Sequence, residues 1–305
     1  MKSSFRETVQ LLLSVAPYVF RVPDFAMKGG TAINFFVRDM PRLSVDIDVA
    51  YTRVDVSREA ALAAISTGLD TIAKAAKRQG LTARIARRPE VPESKIFLGN
   101  GSTQVTVEVN TVARGTVLPA ERHELRAAAQ SEFRLQLEVP ILAPAELFGG
   151  KLVAALDRQH PRDLFDVLLL MRSEGLTPDI VRCFVIYLAS HNRPMHEVLH
   201  PNPKDLTRIY ENDFVGMTNE NVSLEELLAL RDALPHQLSK LLSREQRHFL
   251  MTLARGEPDW KSAGVEHADR LPAIQWKLDN IRKLANRNPK KHEEQSAALN
   301  ELLQT

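Results

Sequence analysis

Three acids on two alternating segments, and a glycine turn ahead of them, are the side chains whose types and spacing could do chemistry. Leu43-Ser44-Val45-Asp46-Ile47-Asp48-Val49 alternates without a break. On a strand this puts Leu43, Val45, Ile47 and Val49 on one face and Ser44, Asp46 and Asp48 on the other. Carboxylates at that spacing repel, and strands are depleted in Asp. A divalent cation removes the conflict, and an oxygen-only pair suits Mg²⁺ carrying substrate phosphates. A solvent-facing strand edge would carry the same common tripeptide, so the pair needs a second feature. Gly29-Gly30-Thr31 supplies it: a tight turn that opens a buried helix read through Phe36, whose exposed N–H groups favour a phosphate. Residues 103–112 alternate as well, with Val105, Val107 and Val109 one way and Thr106, Glu108 and Asn110 the other. Taken alone that is equally an ordinary half-exposed strand. Beside the first acidic strand, Glu108 becomes the third carboxylate of a two-metal site.

The elements that must position these groups follow from periodicity. A helix is expected over residues 4–16, with Phe5, Val9, Leu12, Leu13 and Ala16 on one face and Pro17 ending or bending it. Ser57 reads as the N-cap of a helix reaching Lys77, striped by Leu62, Ile65, Leu69, Ile72 and Ala76 and ended by Gly80. Strands are expected over 81–85 and 95–98, with Gly99-Asn100-Gly101 as a turn, and over Phe133, Leu135, Leu137 and Val139 up to Pro140. From Pro144 onward the pattern is helix after helix, including 144–158, a helix opening at Arg162, 224–242, 246–254 and 271–281. The expected division is therefore an α/β domain over 1–143 and an all-helical domain over 144–305. The tail after His292 reads as frayed or loosely helical. Lys277, Arg282, Lys283, Arg287, Lys290 and Lys291 make the last helix basic, either as a solvated face or as a phosphate-backbone patch for RNA.

Composition sets the bounds. Over 305 residues, 40 basic side chains stand against 38 acidic ones, so any nucleic-acid site must be a local patch. The single cysteine, Cys183, excludes an internal disulfide and a multi-cysteine zinc site, and its apolar neighbours place it in the core. Glu7 and a short, mixed apolar run argue against a signal peptide, and no stretch reads as a membrane span. The expected location is the cytoplasm.

Two familiar patterns are weighed and set aside. Gly149-Gly150-Lys151 is no phosphate loop of the Walker type, because Ala145 stands at its first glycine and Leu152 at its Ser/Thr. His196-Glu197-Val198-Leu199-His200 matches the zinc-peptidase pattern H-E-x-x-H, but Pro194 and Pro201 leave it little more than one helical turn. A zinc peptidase through these residues is retained only as an alternative, beside a non-catalytic nucleotide- or partner-binding module.

The combination KGGTAIN then LSVDIDV, with Arg114-Gly115-Thr116-Val117, GGKLVAALDRQHPRDLFDV and the helix from Leu271 to Ile281, resembles the AbiEii/AbiGii-type nucleotidyltransferase toxins. These include the MenT toxins and belong to the DNA polymerase β-like nucleotidyltransferase superfamily. The resemblance implies a mixed α/β nucleotidyltransferase fold whose helical domain closes over the active-site cleft. It implies Asp46, Asp48 and Glu108 on Mg²⁺, and Gly29, Gly30, Thr31 and Ser44 on an NTP. Lys151 would sit on the triphosphate, with Asp163, or Asp166, in the same pocket. By periodicity alone Lys151 is a snorkelling surface lysine and Asp163 a first-turn acid complementing a helix dipole. The implied acceptor is an RNA, the tRNA 3′ end foremost, and the implied partner an antitoxin. The chain would then act in a toxin–antitoxin or abortive-infection (phage-defence) system.

Overall fold

A computed structural model of the chain describes residues 3–86 and 93–304. It divides into two compact units: residues 1–147 with 213–221, and residues 148–212 with 222–305.

The first unit runs α1 (Ser3–Val19), β1 (Phe25–Lys28), α2 (Gly29–Ala32, continuing as a π-helical turn over Ile33–Val37), β2 (Asp46–Tyr51), α3 (Arg58–Arg78), β3 (Thr82–Ala86), β4 (Glu93–Gly99), β5 (Gln104–Asn110), β6 (Glu121–Glu124), α4 (Ala127–Phe133) and β7 (Glu138–Ile141). The strands form one mixed sheet in the order β3-β4-β5-β2-β1-β7-β6. The β2–β5 and β1–β7 pairs are parallel and the others antiparallel. One face is apolar: Met27, Ile47, Val49, Ile96, Leu98, Val105, Val107 and Val109 are fully buried. α1 and α3 pack against these strands. α3 forms where the Ser57 hydroxyl accepts from the Ala60 N–H at 3.2 Å, and it ends before Gly80 at φ +75°. Its stripe is buried at Ile65, Leu69, Ile72 and Ala76, with Ala61 in the place expected for Leu62, which is half-buried.

Several local expectations are corrected. α1 continues through Pro17 to Val19. β2 begins at Asp46, not Leu43, because residues 41–43 are held by a segment far along the chain. The Leu43 N–H donates to the Met217 carbonyl at 2.8 Å, and the Thr218 hydroxyl to the Pro41 carbonyl at 3.1 Å. The strand expected over 133–139 is not one element. Phe133 closes α4, Arg134 takes a left-handed φ of +49°, and pairing starts only at Glu138. β7 runs through Pro140, which stands opposite Arg122 of β6.

The second unit is helical. Its elements are α5 (Pro144–Arg158, within which the division falls), α6 (Pro161–Arg172), α7 (Pro178–Ala189), α8 (Met195–Leu199), α9 (Thr207–Ile209, passing into a π turn over Tyr210–Phe214 whose last two residues belong to the first unit), α10 (Leu224–Leu241), α11 (Arg244–Ala254), α12 (Pro272–Arg287) and α13 (Pro289–Gln304). Ser223 with Glu226, and Ser243 with Gln246, close capping boxes on α10 and α11. Cys183 is fully buried in α7. Two readings of the C-terminal end are corrected. The tail is the regular helix α13, docked through buried Leu299 and Leu303. Lys277 does not join the basic face: it is 5% exposed, and its ammonium donates to the Arg193 carbonyl. No described helix is long and apolar enough to cross a membrane.

Candidate active site

Register assembles the acidic face. Lys28 on β1 stands opposite Asp48 on β2, Asp48 opposite Glu108 on β5, and Glu108 opposite Lys95 on β4. Directly opposed residues share a face, so four adjacent strands carry Lys, Asp, Glu and Lys in one lateral row, with about 4.8 Å between strands. One pleat away lies a second row of Asp46, Thr106, Phe97 and Arg84. Asp46 is exposed and Asp48 half-buried. The Glu108 carboxylate meets the Lys95 ammonium at 2.7 Å. Among the described residues no three His, Cys, Asp or Glu side chains converge closely enough to hold an ion. Asp46 and Asp48 thus present oxygen-only donors on one face of one strand, and Glu108 is their lateral neighbour, drawn toward Lys95.

The glycine turn closes directly on this face. Gly29 has φ +74°, and a Cβ placed on it would stand 2.2 Å from Asp48 Oδ2. On Gly30 a Cβ would stand 2.8 Å from the Arg42 guanidinium and 3.1 Å from Ser44 Oγ. Only glycine lets the backbone come this near the carboxylate, and the first helical N–H groups of α2 are left without helical acceptors. Thr31 and Asn34 brace the turn from below. Thr31 Oγ1 lies 2.5 Å from the Asp46 carbonyl and 3.0 Å from Ser44 Oγ, and the Asn34 amide donates to the Gly30 carbonyl at 2.9 Å. Thr31 is 1% exposed, so its hydroxyl ties the turn to the head of β2.

Arg42, Lys28 and Lys95 were not among the residues expected here. Arg42 is buried and donates to the Leu43 carbonyl at 2.9 Å. Nothing in its local pattern marks it, since it is placed by the returning segment 217–218. Lys95 could have been found by aligning the alternating segments, which puts it beside an acid; Lys28 could not, because β1 is four residues long and shows no alternation.

In the second unit, α5 and α6 bring Lys151, Asp163 and Asp166 together. The Lys151 ammonium lies 2.7 Å from Asp163 Oδ1 and 3.0 Å from Asp166 Oδ2, and Arg158 reaches Asp163 Oδ2 at 2.8 Å. All but Arg158 are buried, so Lys151 is no snorkelling surface residue. His160 caps α6, its Nδ1 accepting from the Arg162 N–H at 3.1 Å. The H-E-x-x-H match fails as a zinc helix. α8 ends at Leu199, His200 leaves helical conformation at φ −130°, and Glu197 pairs with Arg193 at 3.0 Å.

A family description, nucleotidyl transferase AbiEii toxin of the type IV toxin–antitoxin system, matches residues 10–280. Among solved structures the chain is similar to MenT4, a nucleotidyltransferase toxin of Mycobacterium tuberculosis H37Rv. That likeness has 15% identity and a TM-score of 0.57, and covers 92% of this chain and 95% of the other. No curated protein matches. A glycine turn pressed against a β-strand acid pair, inside a match covering most of the sequence, places this chain in the AbiEii family of nucleotidyltransferase toxins.

Proposed function

We propose that the chain moves a nucleotide from an NTP to an RNA acceptor, the tRNA 3′ end foremost, acting in the cytoplasm as a toxin neutralised by a cognate antitoxin. Its use against phage is part of the same reading. The observation that carries it is the approach of Gly29 to Asp48, which sets anion-binding N–H groups beside a carboxylate pair.

Asp46 and Asp48 would hold Mg²⁺, with Glu108 completing a two-ion arrangement once it leaves Lys95. The donor chemistry and shared face fit that ion. When bound, it would offset triphosphate charge and favour ionisation of the attacking hydroxyl. The chain's own share is positioning and fixed charge. Gly29, Gly30 and Thr31 turn backbone N–H groups toward phosphate oxygens, with Ser44 beside them. Lys28 lies in register with Asp48 and adds positive charge at the same row. The acceptor oxygen bonds to the α-phosphorus as the bond to pyrophosphate breaks. For Lys151 on the leaving pyrophosphate, and Asp163 as its pocket carboxylate, the family pattern is the support.

The test incubates the protein with each labelled NTP, Mg²⁺ and total RNA. Labelled RNA is expected, and it should be lost in Asp46→Asn and Asp48→Asn. Label on protein alone would replace the RNA acceptor by a protein one.

A further inference from the structure

The face that carries the acids continues outward past them. From Asp46 the second row crosses Thr106 on β5 to Phe97 on β4 and Arg84 on β3, the edge strand. Phe97 alternates with the fully buried Ile96 and Leu98, so its ring stands on the polar side and is only half-buried. The exposed Arg84 guanidinium lies over that ring, 4.2 Å from its centroid. Lys95 is two residues before Phe97 on the same face. The ring and the planar cation on it, amid Thr, Lys and Asp, stand on the face opposite the fully buried Ile96 and Leu98. Two strand spacings separate Phe97 from Asp46, about 10 Å.

From this placement we infer that Phe97 and Arg84 form a stacking platform for an unpaired base of the acceptor RNA, next to its reacting terminus. The inference rests on the acidic face being where transfer occurs. Single-stranded RNA is held by bases stacked on aromatic rings and guanidinium planes, and by cations that follow its backbone. Arg84 and Lys95 provide the matching charge. A duplex offers no free base face and would gain little. The incoming nucleotide is a different occupant, and the test separates it.

The experiment uses the full chain. Fluorescence anisotropy follows a labelled short single-stranded RNA, a duplex of equal length and a fluorescent NTP with Mg²⁺. Phe97→Leu keeps apolar bulk on β4 and removes the π-face, and Phe97→Trp restores it. Single-stranded RNA should bind about tenfold more weakly to Phe97→Leu and normally to Phe97→Trp, with duplex and NTP affinities unchanged. Arg84→Gln should lower the slope of log affinity against log salt by about 0.7, the contribution of one phosphate contact to a single strand. RNA binding within twofold of wild type in Phe97→Leu would overturn the platform. Loss of NTP binding in place of RNA binding would overturn the acceptor as its occupant. Wild-type protein that binds RNA through Phe97 yet labels no RNA would sink the proposed function and leave the platform standing.

Discussion

At the residue scale the site depends on one backbone position. Gly29 combines φ +74° with a Cβ position 2.2 Å from the Asp48 carboxylate, so Gly29→Ala meets two penalties at once. The left-handed conformation costs a residue with a Cβ about 1–2 kcal/mol, and the added carbon must push Asp48 aside. Displacement of about 1 Å at a reacting centre can cost on the order of 100-fold in rate. Gly29→Ala should therefore still fold, with a slightly lower urea midpoint, while single-turnover transfer falls by about two orders of magnitude. Unchanged transfer would detach the turn from the chemistry. Lys95 poses a complementary case. Its 2.7 Å contact with Glu108 separates two like charges on neighbouring strands. Lys95→Met should destabilise the metal-free protein by up to about 1 kcal/mol, as expected for a half-exposed pair. It should also enlarge the rise in Tm on adding Mg²⁺, and Lys95→Arg should respond like wild type. Equal rises in all three would mean Lys95 does not hold Glu108 from the ion.

At the element scale, legibility followed burial on one face. Strand β5 and helix α3 could be read because alternation or a 3.6-residue stripe reports directly on a half-buried surface. Four-residue strands such as β1 and β6 are too short to show a period, and β1 is buried throughout Phe25–Met27. The false strand over 133–139 arose because an irregular extended segment also alternates its side chains. The acid pair was legible for the same reason as β5. Arg42 was not, since it is fixed by residues 217–218, and no local pattern encodes contacts between distant segments. Gly149 shows how packing can override propensity. In a helix interior Gly→Ala ordinarily gains about 1 kcal/mol. Here a Cβ would stand 2.6 Å from Cys183 Cβ and 2.7 Å from the Phe184 amide nitrogen, where α5 crosses α7. Backbone cannot yield as a flexible side chain would, so Gly149→Ala should destabilise by about 1–3 kcal/mol in chemical denaturation. A stabilised variant would disprove the close crossing.

At the scale of the whole molecule, net charge is nearly zero, so its pH response should be governed by individual buried groups. Lys277 in α12 is the clearest. Burial pushes its ammonium down to about 8 from an ordinary 10.5, against a smaller opposing effect of Glu197. Nearby His191 and His196 are also shifted down by burial, so both are neutral in the alkaline range where Lys277 titrates. Below pH 8 the folded and unfolded chains both carry the lysine proton, and folding bears the full penalty of burying the charge. Between about 8 and 10.5 the folded chain loses that proton while the unfolded chain keeps it, so unfolding takes up protons and stability rises with pH. The shift corresponds to roughly 3 kcal/mol at most. Lys277→Met removes the titration and keeps the apolar stem. Plotted against pH, the stability of wild type relative to Lys277→Met should be flat below 8, climb through the window and level off near 10.5. Chemical denaturation at matched salt would measure it. A difference that stays constant across the window would show that Lys277 keeps its charge inside the fold, held by the Arg193 carbonyl.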